Sequence, residues 1–123
     1  MKIILAVGIG SCIGGICRYL LSMFIQNKFL SAFPYGTLSV NIIGCLLIGI
    51  VFGISERSLL GVEWRMFMVT GYLGGFTTFS SFSNETIALI RDGQYWPAFT
   101  YVGISVVVGL LATFTGISLI KML

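Results

Sequence analysis

Long stretches almost free of charge are the feature of this sequence that most constrains its fold. Four of them cover about residues 3–25, 37–54, 64–90 and 96–120. Each is close to the roughly 20 apolar residues that an α-helix needs to cross the hydrocarbon core of a bilayer. Only 9% of the 123 residues are charged, against about 25% in a typical soluble domain. The sequence therefore predicts an all-α membrane protein, with one domain (residues 1–123) of four transmembrane helices.

The composition leaves little material for enzyme chemistry. The chain has no His and four acidic residues, too few for a metal-ligand cluster or a nucleophile with its base. Cys12, Cys17 and Cys45 lie in apolar runs, where small and weakly polar packing is their ordinary role. Four spans also leave no room for a soluble catalytic domain in a chain of this length. We therefore expect no enzyme, and a function that lies within the bilayer or between subunits.

The basic residues that flank the four spans orient the chain only weakly. One side of the membrane would carry Lys2, Arg57, Arg65 and Lys121, and the other Lys28 and Arg91. Orientation follows the Lys and Arg bias of short loops, and four against two is a small bias. Such a chain could insert both ways, and two opposite copies could pair as an antiparallel dimer. A single orientation stays open as the alternative.

Small residues recur on three of the predicted helices. They are Gly8, Gly10, Gly14 and Gly15 on the first, Gly44, Gly49 and Gly53 on the second, and Gly103, Gly109 and Gly116 on the last. Gly10 and Gly14 have the four-residue spacing that lets helix backbones approach closely. Four short helices do not easily surround an aqueous route, whereas two copies give eight helices and an interface. The pattern predicts close packing, within one chain or between two, without saying which helices touch.

The third apolar run contains the polar segment GYLGGFTTFSSFS, residues 71–83. Gly74 and Gly75 remove side-chain support, and the hydroxyls of Thr77 and Thr78 can satisfy backbone groups freed by a break. At such a break, exposed carbonyls can coordinate a cation and the N-terminus of a half-helix favours an anion. We expect a third helix broken near its middle, at residues 74–78. An intact helix packed through its glycines is the alternative.

Aromatic and polar side chains near this segment suggest an ion route. Phe79 and Phe82 are one helical turn apart, and the positive edges of their rings can line a path for a small anion; core packing is the alternative. Asn41 offers donors and an acceptor for an interhelical bond or for a ligand. Arg18 either attracts an anion, snorkels or pairs structurally. Glu85 would repel anions, so we expect a solvated or paired carboxylate.

Three segments together resemble one family, the small fluoride channels known as Fluc or CrcB proteins. They are GGICRY at 14–19, GTLSVNIIG at 36–44 and GYLGGFTTFSSFS at 71–83, and the resemblance covers nearly the whole chain. It implies an antiparallel homodimer of dual topology in the bacterial inner membrane. This dimer would export toxic fluoride from the cytoplasm passively through two symmetry-related pores. The family often has Thr where Ser81 stands, and both residues carry a hydroxyl.

The resemblance also implies roles for single residues. The backbone carbonyls of Gly74 and Thr77 from both subunits would hold a structural sodium ion at the dimer centre. Phe79 and Phe82 would line the fluoride pathway beside the donor Asn41. Further pathway positions would be Ser80, Ser81, Tyr101 and Thr113, and Arg18 matches a basic position with a vestibular or structural role. The choice of fluoride as the ion comes from the resemblance alone.

Two other functions stay open at this point. A proton-coupled small multidrug transporter also has four short helices and often forms an antiparallel dimer, but it needs a carboxylate embedded in the bundle. The first helix, where that family carries its acid, has Arg18 instead, so Glu85 would have to take the role. A non-transporting membrane assembly subunit would use the glycines and polar residues only for packing. It predicts no ion flux from the purified protein.

Overall fold

Helices make up nearly all of the computed structural model, which describes residues 1–123 and contains no strand. We number them α1 (Lys2–Gln26), α2 (Tyr35–Glu56), α3 (residues 62–76), α4 (Phe79–Arg91) and α5 (Tyr95–Met122). The α3 helix is composite. It begins with the α-helical turn Val62–Arg65, widens into the π-helix Met66–Leu73 and ends with the turn Gly74–Phe76. The predicted all-α class is therefore confirmed.

Three helices, α1, α2 and α5, are long and apolar enough to cross a membrane. Large apolar side chains such as Ile16, Leu110 and Phe114 point outward from them. Exposure of this kind would favour aggregation in water but matches the hydrocarbon core of a bilayer. Trp64 and Trp96, near the beginnings of α3 and α5, are also exposed, which suits rings in the headgroup region. The chain is a multi-pass membrane protein.

The third apolar run forms two helices in series. Thr77 (φ −87°, ψ 156°) and Thr78 (φ −149°, ψ 112°) are extended and separate α3 from α4. The predicted break near the middle of this run is therefore present, but it is shorter than the expected 74–78. Gly74 to Phe76 complete the last turn of α3, and only the two threonines leave the helix.

Glycines let α1 lie directly against α3. A side chain at Gly10 would come within 2.6 Å of the Phe67 carbonyl oxygen, and one at Gly14 would collide with the Tyr72 carbonyl. Gly75 faces back in the same way, against the backbone of Ser11. This contact explains why Gly75 stays helical, since it serves packing rather than the break. The Gly10 and Gly14 spacing is thus used within the chain.

A second backbone contact joins α2 to α5. A side chain at Gly116 would come within 2.8 Å of the Ile50 nitrogen, and Gly49 lies against the backbone of Thr113 and Gly116. Other glycines that the sequence singles out have open space where a side chain would begin; these are Gly8, Gly15 and Gly103. The structure therefore consists of two tight helix pairs, α1 with α3 and α2 with α5.

The short α4 helix is held by a small core around Tyr101. This side chain is 0% exposed and clusters with Leu38, Leu89 and Ala98. Phe33, from the loop between α1 and α2, packs edge-on against Tyr101 with ring centroids 5.6 Å apart. The core thereby joins α2, α4 and α5 near one end of the bundle.

Gln26 fixes the loop that carries Phe33. Its Nε2 donates to the carbonyls of Ser31 and Phe33, each at 3.1 Å, and its Oε1 accepts from the backbone N–H of Gly36 at 3.0 Å. The first N–H groups of a helix have no partner within it. Gln26 therefore completes the beginning of α2 and holds the loop against it.

Candidate functional site

A groove of about 370 Å³ lies beside the break, between α2, α3, α4 and α5. Five residues selected from the sequence line it together: Asn41, Gly74, Thr77, Phe79 and Phe82. Most of the other lining residues are small or apolar, and none is charged. The groove therefore brings residues of four helices together around one non-helical segment.

Asn41 binds the backbone of the break with both ends of its amide. Its Oδ1 accepts from the Thr78 N–H at 2.8 Å, and its Nδ2 donates to the Thr78 carbonyl at 3.1 Å. Backbone groups that leave a helix inside a membrane need such partners, because no lipid group can replace them. The amide nitrogen carries two hydrogens, so one remains for a ligand in the groove.

The Thr78 hydroxyl organises the beginning of α4. It accepts from the Ser81 N–H at 3.2 Å and donates to the Ser81 hydroxyl at 3.1 Å. The Ser80 hydroxyl lies 3.3 Å from the same oxygen. Ser80 and Ser81 thus gather at the N-terminus of α4, where the partial positive charge of a helix favours an anion.

These side-chain bonds free two backbone carbonyls. In a continuous α-helix the N–H of residue i bonds to the carbonyl of residue i−4. The Thr78 N–H goes to Asn41 and the Ser81 N–H goes to Thr78 Oγ1, so neither reaches its helical acceptor. Those acceptors are the carbonyls of Gly74 and Thr77, the pair expected to bind sodium.

Free carbonyls at the end of a half-helix suit a cation. They carry partial negative charge, and unwound backbone carbonyls coordinate Na⁺ in membrane transporters. No group of three or more His, Cys, Asp or Glu residues could hold a metal ion elsewhere in the chain. The residues present therefore fit a hard cation bound by carbonyl oxygen.

The two phenylalanines differ in their surroundings. Their ring centroids are 5.5 Å apart, at 46°. Phe82 also packs against the buried Tyr101, at 5.1 Å, whereas Phe79 is 79% exposed in the single chain. Core packing thus accounts in part for Phe82 but gives no reason for Phe79.

Glu85 is a paired carboxylate. Its Oε1 accepts from the Thr37 hydroxyl and its Oε2 from the Tyr101 hydroxyl, each at 2.7 Å. Tyr101, expected to line the pathway, is fully buried and does not line the groove; it contacts Phe82 and Glu85 instead. Thr37 was not selected from the sequence, although it lies four residues before Asn41, the spacing of one helix face.

Ser80 and Ser81 do not line the groove, and neither do two other selected residues, Arg18 and Thr113. Arg18 Nε donates to the Gly75 carbonyl at 3.1 Å, one residue from the freed Gly74 carbonyl. The Thr113 hydroxyl donates to the carbonyls of Cys45, at 3.0 Å, and Gly109, at 3.2 Å. In the single chain both side chains therefore bind helix backbone, and Thr113 makes no hydrogen bond to Ser80 or Ser81.

Ser105 is a groove residue that sequence reasoning missed. Its hydroxyl oxygen is buried, has no hydrogen-bond partner in the chain and belongs to a residue that lines the groove. Buried polar atoms without a partner are uncommon in proteins. The signal in the sequence was its position four residues after Tyr101, which places both on one side of α5.

Comparison with known proteins shows the family of this chain. The profile of the CrcB-like family (Camphor Resistance, CrcB) matches residues 5–117. The chain is 43% identical to the fluoride-specific ion channel FluC of Flavobacterium psychrophilum, over 98% of both chains. It is 42% identical to the protein of that name from Phocaeicola vulgatus, over 95% of this chain and 97% of the relative. For the Leptospira interrogans protein of that name, the identity is 40%, over 98% and 95%. The chain therefore belongs to the CrcB family.

Proposed function

We propose that this chain forms a fluoride-selective channel, not an enzyme, which lets toxic fluoride leave the cytoplasm passively. The relatives that match almost its full length are named fluoride-specific ion channels. The observation that carries the proposal is the groove at the break. There the spare amide hydrogen of Asn41, the rings of Phe79 and Phe82 and the N-terminus of α4 converge.

The groove suits an anion that must pass without being trapped. No charged side chain lines it, so no side chain would hold fluoride as tightly as a full positive charge does at membrane depth. Amide and hydroxyl hydrogens and aromatic ring edges offer weaker, partial positive charge instead. Glu85 is turned toward two hydroxyl donors, which compensate its negative charge beside the route.

We further propose four spans per subunit, in the inner membrane of a bacterium. The α3 and α4 helices would cross the bilayer in series as the third span, because the residues between them are satisfied by protein groups. Non-helical backbone is tolerated at membrane depth under that condition. An even number of spans would place both termini on the same side.

The working form would be an antiparallel homodimer of dual topology with two pores. The weak charge bias supports insertion both ways. In one chain the exposed Phe79 and the exposed Gly74 leave the groove open on one side. A second copy would supply the missing wall.

The freed carbonyls of Gly74 and Thr77 would hold a sodium ion together with those of the second copy. A bound sodium ion would supply positive charge that offsets the partial negative charge of the carbonyls at the C-terminal end of α3 in each subunit, and it would join the subunits. The support for this part is the pair of diverted hydrogen bonds at Thr78 and Ser81.

The test is fluoride efflux from liposomes that contain the purified protein, measured with a fluoride electrode. We expect passive fluoride loss without a proton gradient and no comparable chloride loss. Equal chloride flux, or no flux from protein shown to be folded, would contradict the proposal. Proton-driven uptake of a cationic dye in its place would favour the multidrug transporter, with Glu85 as its carboxylate.

Topology needs a separate measurement. Reporter domains fused to the C-terminus should be found on both sides of the membrane when the chain is expressed at low level. A reporter signal from one side alone would exclude dual topology, and with it the antiparallel arrangement.

A further inference from the structure

The helical hydrogen-bond pattern of α3 stops at the point where Asn41 intervenes. The Thr77 N–H still bonds to the Leu73 carbonyl at 3.0 Å, as in an uninterrupted helix. The next bond would join the Thr78 N–H to the Gly74 carbonyl. Asn41 Oδ1 takes that N–H instead, at 2.8 Å.

We propose that Asn41 is a positioning residue for the cation site, in addition to facing the groove. By binding the Thr78 N–H, its amide keeps the Gly74 carbonyl available to a sodium ion. The inference rests on the proposed function, because the cation site is part of it. It concerns the affinity for the cation and not the passage of the anion.

The Thr78 N–H and the cation compete for the same oxygen. Without the Asn41 side chain, α3 can extend by one residue, and Thr78 then satisfies its N–H at the Gly74 carbonyl. A buried N–H left without any partner is costly, so this extra helical hydrogen bond is favoured over an unpaired Thr78 N–H. A carbonyl that accepts a helical hydrogen bond is a poorer ligand for the cation.

The second bond of Asn41 extends the effect to the other carbonyl. Its Nδ2 holds the Thr78 carbonyl at 3.1 Å, which fixes Thr78 in the extended conformation. In that position the Thr78 hydroxyl accepts from the Ser81 N–H and keeps it away from the Thr77 carbonyl. One amide thus secures both carbonyls that the cation would use.

The experiment measures melting temperature in detergent for the full-length protein, in sodium chloride and in N-methyl-D-glucamine chloride. A ligand that binds only the folded state raises the melting temperature, so sodium should raise that of the wild type. In Asn41→Ala we expect this rise to be lost or to need about tenfold more sodium, a typical size for coupling between two sites. Asn41→Leu fills a similar space without a hydrogen bond, and we expect it to lose the sodium response in the same way. It replaces Asn41→Ala in the experiment if the alanine variant does not fold.

Two matched variants separate this role from general stabilisation. Asn41→Asp keeps an oxygen that accepts from the Thr78 N–H but loses the donor to the Thr78 carbonyl, so it should keep part of the sodium response. Gln26 is another amide that accepts from a backbone N–H and donates to carbonyls, in the loop before α2. Gln26→Ala should lower the melting temperature in both salts by a similar amount and leave the sodium response intact.

A full sodium response in both Asn41→Ala and Asn41→Leu would overturn the inference. So would the same loss of response in Gln26→Ala or in Asn41→Asp. A wild type that responds to no monovalent cation would remove the cation site itself. Because fluoride efflux is measured separately, that outcome is distinguishable from failure of the channel function.

Discussion

Tyr101 and Glu85 share a 2.7 Å hydrogen bond that joins α5 to α4 beside the groove. The same carboxylate is held from α2 by Thr37, also at 2.7 Å. Three helices therefore meet at one charged group in a largely apolar bundle. A charge at this depth is costly without partners, so each hydroxyl compensates part of that cost.

Removing either hydroxyl should destabilise the fold. For Thr37→Val and Tyr101→Phe we expect a loss of about 1.5–3 kcal/mol, the range for hydrogen bonds to charged groups, measured by thermal unfolding in detergent. Thr115→Val is the control, because the Thr115 hydroxyl is exposed and bonds to Leu111 within its own helix. A Thr37→Val protein as stable as Thr115→Val would show that Glu85 does not depend on this contact.

Phe79 should matter for flux more than for stability. The Phe79 side chain is mostly exposed in the chain, and the aromatic ring that it contacts is that of Phe82. We expect Phe79→Leu to lower fluoride efflux about tenfold, equivalent to about 1.4 kcal/mol on the barrier, with little change in melting temperature. Phe82→Leu should lower both, since it also loses the contact with Tyr101. If folded Phe79→Leu protein in liposomes released fluoride as fast as the wild type, the Phe79 ring would not belong to the pathway.

Ser105 should contribute a hydrogen bond to the ion. Its buried hydroxyl has no partner in the chain and its residue lines the groove. We expect Ser105→Ala to reduce fluoride efflux without loss of stability, because no hydrogen bond in the protein is broken. The control is Ser55→Ala: the Ser55 hydroxyl is also buried and unpartnered, but it lies near the end of α2 and outside the groove. Equal efflux from both variants would mean that Ser105 is not on the route.

Gly14 should tolerate no side chain. A methyl group there collides with the Tyr72 carbonyl, and forcing a helix pair apart typically costs about 1–3 kcal/mol. Gly14→Ala should therefore lower the melting temperature, whereas Gly8→Ala, which meets nothing within 4 Å, should not. Comparable melting temperatures for the two variants would show that α1 and α3 do not approach as closely as described.

The sequence predicted the class of the fold and the presence of the break, because both depend on local residue types. Long apolar runs identify membrane-spanning helices, and the pairs Gly74-Gly75 and Thr77-Thr78, with only Phe76 between them, weaken a helix. The position of the break was less predictable. Gly75 is drawn into α3 by its contact with Ser11 on another helix, and that contact is invisible to local propensity.

The other features that the sequence does not predict depend on contacts between side chains and neighbouring helices. The sequence leaves open whether Arg18 attracts an anion or has a structural role, and the partner that the structure gives it, the Gly75 carbonyl, lies 57 residues away. Thr37 and Ser105 each lie in an apolar helix that carries other hydroxyl residues as well, and such residues usually bond to their own helix backbone. Their distinction lies in which helix each faces, and one sequence does not contain that information.

The π-helix Met66–Leu73 sets the rotational phase of everything that follows it in α3. A π-helix bonds residue i to residue i+5 and so advances by a smaller angle per residue than an α-helix. If this stretch were wound as an ordinary α-helix, Gly74 and Gly75 would point in other directions relative to α1. The wider winding therefore acts as an angular adjustment, which lets one short helix present Gly71 to α1 at its middle and Gly74 to the groove at its end.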